Sequence, residues 1–154
     1  MTIVEGVFNS VLCNCLPLFG GCTQSQIDTL QVLQNRAARL SLGCPPRSNR
    51  DWMFSELQWM TVLQLVAYHT LVTVFRIRSH RQPEYLASKL CRDSRQGRIL
   101  AENSCLDIYR KSFVFRGISL WNRLPSSIRE TEKIRFFKKG VRVWIFNNID
   151  RFKI

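Results

Sequence analysis

Acidic side chains are scarce in this chain of 154 residues, with eleven Asp and Glu against 23 Lys and Arg. No two aspartates are adjacent, and the closest pair of acids, Glu130 and Glu132, is flanked by basic residues. Phosphoryl-transfer chemistry of the two-metal kind needs clustered carboxylates to hold its divalent ions, so that chemistry has no foothold here. Histidine is almost absent, with His69 and His80 only, and neither stands at ligand distance from a cysteine pair. The six cysteines (Cys13, Cys15, Cys22, Cys44, Cys91, Cys105) give one C-x-C and no C-x-x-C, which is not zinc-site spacing. Scattered cysteines of this kind read as small buried hydrophobes in a reducing compartment, and no metal or other cofactor is expected. No Gly-rich loop precedes Lys-Ser or Lys-Thr, and no Ser or Cys nucleophile comes with a recognisable His and acid. Catalysis by this chain is not expected.

Long hydrophobic runs are also missing. Val62 to Ile77 is interrupted by Gln64 and His69 and falls short of the roughly 20 residues a bilayer requires. Ile3 to Phe19, followed by Gly20-Gly21-Cys22, loosely mimics a lipoprotein leader, yet it contains Glu5 and no Lys or Arg, so the positive n-region is absent. No membrane association and a cytoplasmic or nuclear location are the resulting expectations.

What is present is unevenly distributed. Residues 1–75 carry four basic and four acidic side chains, whereas 76–154 carry 19 basic and 7 acidic, so the whole formal charge of +12 lies in the second half. Hydrophobic residues make up 45% of the chain, enough for a core that buries about two-thirds of the unfolded surface. A neutral packing half and a strongly basic half suggest a polyanion partner, RNA or DNA. A solubility surface, or compensation for an acidic neighbour, accounts for the same charge.

The periodicity predicts a mostly α, compact multi-helix domain over residues 1–154. A first helix is expected from Ile3 to Leu16, ended by Pro17. Thr23 and Gln26 form a capping box before a stripe of Leu30, Leu33, Ala37 and Leu40, closed by Gly43 and Pro45-Pro46. A short helix carries Trp52, Met53, Phe54 and Leu57. Thr61 and Gln64 then cap Val62 to Arg78, which is apolar nearly all round and therefore the expected core axis, with His69 a core histidine bonded to a neighbour. Pro83 starts a short helix through Leu90, and Cys91 to Arg110 reads as loop with a possible short β-hairpin around residues 97–110. Helices are expected again over Lys111 to Asn122 and Lys133 to Asn147. In the last of these, Ile134, Phe137, Val141 and Ile145 make one stripe, and Arg135, Lys138, Lys139 and Arg142 gather beside it. Phe136, Val143 and Phe146 point away from the stripe and imply a second contact.

Nucleic-acid binding needs cations for phosphates and exposed rings for bases. The candidate nucleic-acid-binding residues are Arg110, Lys111, Arg116, Arg135, Lys138, Lys139 and Arg142, with Tyr109 or Phe115 available for stacking. Phe113, Trp121, Trp144 and Trp59 fall on apolar stripes and are read as core, while Arg116 has a second reading, donation to a helix end.

The run Ser112 to Arg129, SFVFRGISLWNRLPSSIR, resembles the C-terminal signature of reverse transcriptases of jockey-like non-LTR retrotransposons. There a Ser-Phe, an Arg-Gly and a Leu-Trp-Asn-x-Leu-Pro occur in that order. The helix with Leu30-Gln31 and Gln34-Asn35-Arg36-Ala37, followed by Leu42-Gly43, is similar to the one after the polymerase palm in the same family. Asp51 with Phe54, Glu56-Leu57 and Trp59 resembles the next block, and Val74 to Ile77, Pro83 to Leu86 and Phe136 to Lys139 fit the later ones in family order. Phe19 departs from a frequent Trp. The resemblance implies a region downstream of the palm, with residues 1–45 thumb-like and 46–154 a C-terminal α-helical extension, basic from residue 76 on. The implied parent activity is RNA-directed DNA synthesis with Mg, whose active-site residues map onto nothing here. The implied partners are template RNA or target DNA and the palm of the parent polymerase. A helical protein–protein interaction module and a degenerate retroelement remnant without selected function stand as the alternatives.

Overall fold

A computed structural model describes residues 16–92, 97–100 and 107–148, together with positions 6, 7, 10, 11 and 13. The expected helix from Ile3 to Leu16 lies mostly outside the described residues. The elements that follow are all helical: α1 (Leu16–Phe19), α2 (Gln24–Leu42), α3 (Arg50–Leu57), α4 (Val62–His80), α5 (Glu84–Leu90), α6 (Asp107–Arg110), α7 (Phe113–Arg123), α8 (Ser126–Arg129) and α9 (Ile134–Asn147). The protein is mostly α, as its periodicity predicts. Pro17 lies inside α1, in its first turn, where a missing N–H costs nothing.

The caps are those the sequence indicates. The Thr23 N–H donates to Gln26 Oε1 at 2.9 Å, and the Thr61 N–H to Gln64 Oε1 at 2.9 Å. Gly43 ends α2 in the left-handed region at φ 63°, a conformation that costs glycine nothing. Asn49 caps α3 by accepting from the Asp51 and Trp52 N–H groups.

Helix α4 is the axis. It packs against α1, α2, α5, α7 and α9, which explains why it shows no polar face. By length and hydropathy, the stretch from Arg50 to His80 suits a membrane crossing, but 61% of its apolar window is buried against the other helices. The first half of α4 contributes Val62 and Val66 to a cluster with Leu16 and Ile27. Its second half contributes Leu71, Val74, Phe75 and Ile77 to the main core with Leu90, Ile118, Trp121, Phe137, Val141 and Ile145. Phe137 stacks on Phe75 at 4.3 Å between ring centroids and on Trp121 at 5.6 Å, and the Arg78 guanidinium lies 4.9 Å from the Trp121 ring centre. Burying rings as large as Trp121 and Phe137 completely stabilises the fold by about 2–3 kcal/mol each. Gly117 lets α7 approach α4: a Cβ there would sit 2.8 Å from Val74 Cγ2.

Two expectations are corrected. The buried stripe of α2 is Ile27, Gln34, Ala37 and Ala38, while Leu33 and Leu40 are 46% and 74% exposed. A glutamine takes the inward position because it is satisfied there: Gln34 Nε2 donates to the Met60 carbonyl at 2.8 Å, and Gln31 Oε1 accepts from the Val62 N–H at 3.0 Å. Together the two amides clip α2 to the start of α4.

The hairpin expected around residues 97–110 does not form among the described residues, and 101–106 lie outside them. Residues 107–110, at the far end of that interval, are the helical turn α6. The first strand instead pairs with side chains of α7 and, through the Leu100 N–H, with the Arg92 carbonyl at 2.8 Å. Asn122 accepts from the Ile99 N–H through Oδ1 and donates to the Ile99 carbonyl through Nδ2, both at 2.9 Å, while Trp121 Nε1 donates to the Gly97 carbonyl at 3.1 Å. With those backbone groups satisfied, a second strand is not required.

Candidate nucleic-acid interface

Helix α9 presents its cations in a graded way. The stripe of Phe137, Val141 and Ile145 is fully buried, and Arg135, Lys138 and Arg142, at i, i+3 and i+7, form the adjoining edge. Lys139 lies further round, bordering a groove lined by Ile128, Phe136, Gly140, Val143 and Trp144. Phe136 and Val143 are 61% and 53% exposed, whereas Phe146 is half-buried with the Arg142 guanidinium 5.8 Å from its ring centre.

The cationic edge of α9 meets α4 at Tyr68 and His69, whose rings stand edge to face at 5.4 Å. Burial lowers the His69 pKa, and the charges of Lys138 and Arg76 lower it further, so the imidazole is neutral at pH 7. Burial raises the Tyr68 pKa, opposed by Arg142 and Arg76. Both half-buried rings therefore sit within the field of Arg76, Lys138 and Arg142. The expected core role of His69 becomes a position at the core margin, packed on Tyr68. Arg142 also donates through Nη2 to the Gln58 carbonyl at 3.0 Å, tying α9 to the end of α3, and with Tyr68 it lines a cleft of about 280 Å³ that also includes Gln34 and Trp59. Among the described residues the one ion pair within 4.0 Å joins Arg50 to Asp51, and none of the described carboxylates pairs with the α9 edge.

The other candidates lie elsewhere. Arg110 ends α6 and Lys111 follows it, both exposed at the N-terminal end of α7. Tyr109 and Phe115 pack on each other there, with ring centres 5.8 Å apart. Arg116 is spent internally: Nη2 donates to the Pro17 carbonyl at 3.1 Å and Nε to the Lys111 carbonyl at 3.2 Å. Its guanidinium lies over Gly20, where an added Cβ would collide with Nη1. This is the helix-end reading of Arg116, and the two carbonyls it serves support it.

The seven candidates therefore do not form one patch. Arg135, Lys138 and Arg142 come together, Lys139 adjoins them, Arg110 and Lys111 stand at the other end of α7, and Arg116 is structural. Arg76 belongs with the first group but escaped sequence reasoning, because α4 looks uniformly apolar. The signal was its i+7 spacing from His69, with Thr73 and His80 on the same strip of α4. Trp59 and Trp121 are buried, and Phe113 and Trp144 pack half-buried against the core. Among the described residues no three His, Cys, Asp or Glu side chains converge as metal ligands. Comparison with protein-family models, curated proteins and solved structures finds no match for this chain.

Proposed function

We propose that this chain is a noncatalytic C-terminal portion of an RNA-directed DNA polymerase of the non-LTR retrotransposon type, and that it binds template RNA or target DNA in the cytoplasm or nucleus. The observation that carries the binding role is the cationic seam of Arg76, Lys138 and Arg142 around Tyr68 and His69, extended along α9 by Arg135, with none of these cations in an ion pair among the described residues. Such a seam attracts a phosphate backbone through charge neutralisation and counterion release. The half-buried Tyr68 ring beside it is the aromatic group available there for an unpaired base. The polymerase origin is supported by the order of the sequence blocks along the chain.

The test is titration of single-stranded RNA at two salt concentrations with wild type and with Arg76→Glu/Arg135→Glu/Lys138→Glu. Arg142 stays in place because it also anchors α3. Each lost phosphate contact lowers the salt slope by about 0.7 for a single strand. The triple variant should bind at least tenfold more weakly, with a flatter slope. Unchanged affinity and slope would refute the seam.

A second reading, a helical protein–protein interaction module, is favoured by the groove between Phe136 and Val143 on α9 and Ile128 on α8. It predicts oligomers or partner binding indifferent to RNA and to salt, which size measurement of the purified chain reads directly.

A further inference from the structure

Helix α7 ends at Arg123, and Leu124-Pro125 turns the chain directly into α8, which ends at Arg129. Both arginines line one concavity. A third, Arg98, reaches it from a segment more than twenty residues earlier. Its placement is not left to chance. Asn122 takes both backbone groups of Ile99 and Trp121 holds Gly97, so the residues on either side of Arg98 are tied to the last turn of α7.

The concavity is also lined by the side chains of Asn122 and Ser126, and by Glu130 as its one carboxylate. Three guanidinium groups less one carboxylate leave a local charge of +2. Among the described residues none of the three arginines is in an ion pair. Arg129 Nε and Nη1 are moreover buried without a hydrogen-bond partner. Guanidinium nitrogens that have lost water and gained no acceptor are costly, and buried donors of this kind normally have one. Arginine forks match tetrahedral oxyanions in shape, and a phosphomonoester carries close to two negative charges at neutral pH. A phosphodiester, with one charge and two unesterified oxygens, would leave the site under-neutralised.

We infer that Arg98, Arg123 and Arg129 form a binding site for a phosphomonoester dianion, separate from the cationic seam of α4 and α9. The site stands whether or not that seam binds nucleic acid.

The experiment is thermal unfolding of the full chain in inorganic phosphate and in sodium chloride at matched ionic strength. Wild type should melt higher in phosphate, with a shift that saturates as phosphate rises. Arg98 and Arg123 are exposed, so Arg98→Gln/Arg123→Gln should fold with wild-type melting in chloride. It should bind phosphate at least roughly tenfold more weakly. Arg135→Glu/Lys138→Glu should keep the full phosphate response. Equal melting of wild type in the two salts would overturn the site. So would an undiminished response in Arg98→Gln/Arg123→Gln, or loss of the response in Arg135→Glu/Lys138→Glu, which would reduce it to general charge. A short RNA with and without a 5′-phosphate then distinguishes the source. Tighter binding of the phosphorylated strand assigns the site to a nucleic-acid end. Equal binding of the two strands, with the phosphate shift intact, assigns it to a small phosphorylated ligand.

Discussion

Replacing Arg116 tests whether a residue that reads as a phosphate contact is instead a strap. Its guanidinium crosses over Gly20 and donates to the carbonyls of Pro17 and Lys111, so it joins α1 to the start of α7. Hydrogen bonds from a charged donor contribute about 1.5–3 kcal/mol each, and less where the donor is half-exposed. Arg116→Ala should therefore cost about 2–3 kcal/mol, which for a chain of this size lowers Tm by about 4–12 °C. Gly20 is buried and outside the left-handed region, so alanine is sterically legal there except for one obstacle, the guanidinium itself. That end of Arg116 is flexible and would be displaced, forfeiting the same two bonds. Gly20→Ala should thus cost nearly as much as Arg116→Ala, and the double variant little more than either. The resulting coupling is about 1.5–2.5 kcal/mol in a double-mutant cycle by urea unfolding. Costs that add to within about 0.5 kcal/mol would refute the strap. So would a larger loss of RNA affinity for Arg116→Ala than for Arg135→Ala, which would return Arg116 to the interface.

Gln34 is 1% exposed, and its amide joins Met60 to Gln31. Gln34→Leu keeps the volume but leaves the Met60 carbonyl unpaired, so it should cost about 1–3 kcal/mol, seen as a lower urea midpoint at unchanged slope. Gln34→Glu should cost more, because a carboxylate buried there must lose either its charge or its water. His69 has a folded-state pKa below its unfolded value of about 6.5, owing first to burial and then to Lys138 and Arg76. The unfolded chain consequently takes up the proton more readily. The contribution of His69 is complete above pH of about 6.5 and is lost progressively as the pH falls from there toward the folded pKa. Stability between pH of about 7 and 5.5 should fall in wild type and fall less steeply in His69→Asn; parallel profiles would show that the imidazole titrates as it does in water.

The helices were legible because their ends carry chemistry that acts locally. Thr23-Gln26, Thr61-Gln64 and Gly43 work within a turn of themselves, and the stripe of α9 repeats cleanly over its whole length. The errors fall where a distant partner decides. Nothing local to Gln34 reveals that the Met60 carbonyl waits opposite it, so Leu33 and Leu40 outrank it on hydropathy alone. Ile99 looks like half of a hairpin because its true partner, the Asn122 amide, is a side chain on a helix. The candidate site shows the same division. The spacing of Arg135, Lys138 and Arg142 places them correctly, while Arg76, Arg98 and Arg129 depend on which helices meet. Charge composition locates the basic half of the chain but does not sort strap from surface, and Arg116 and Arg135 are alike in that respect.

Many of the residues that carry the sequence resemblance do internal work. Trp121 and Asn122 hold the 97–99 segment, Leu124 is core, Gly117 admits Val74, Arg116 spans Gly20, and Gln31 and Gln34 clip α2 to α4. The packing residues of those blocks decide where the cations stand, Arg76, Arg123 and Lys138 within the blocks among them. Those cations are Arg76, Arg135 and Lys138 along the α4–α9 seam, and Arg98 and Arg123 at the end of α7. Asn122 links the two roles, since its amide is motif and scaffold at once and also sets the position of Arg98. A chain with the same Trp-Asn and Leu-Pro but no arginine at these exposed positions would keep the fold and lack the cations on which the proposed phosphate contacts rest.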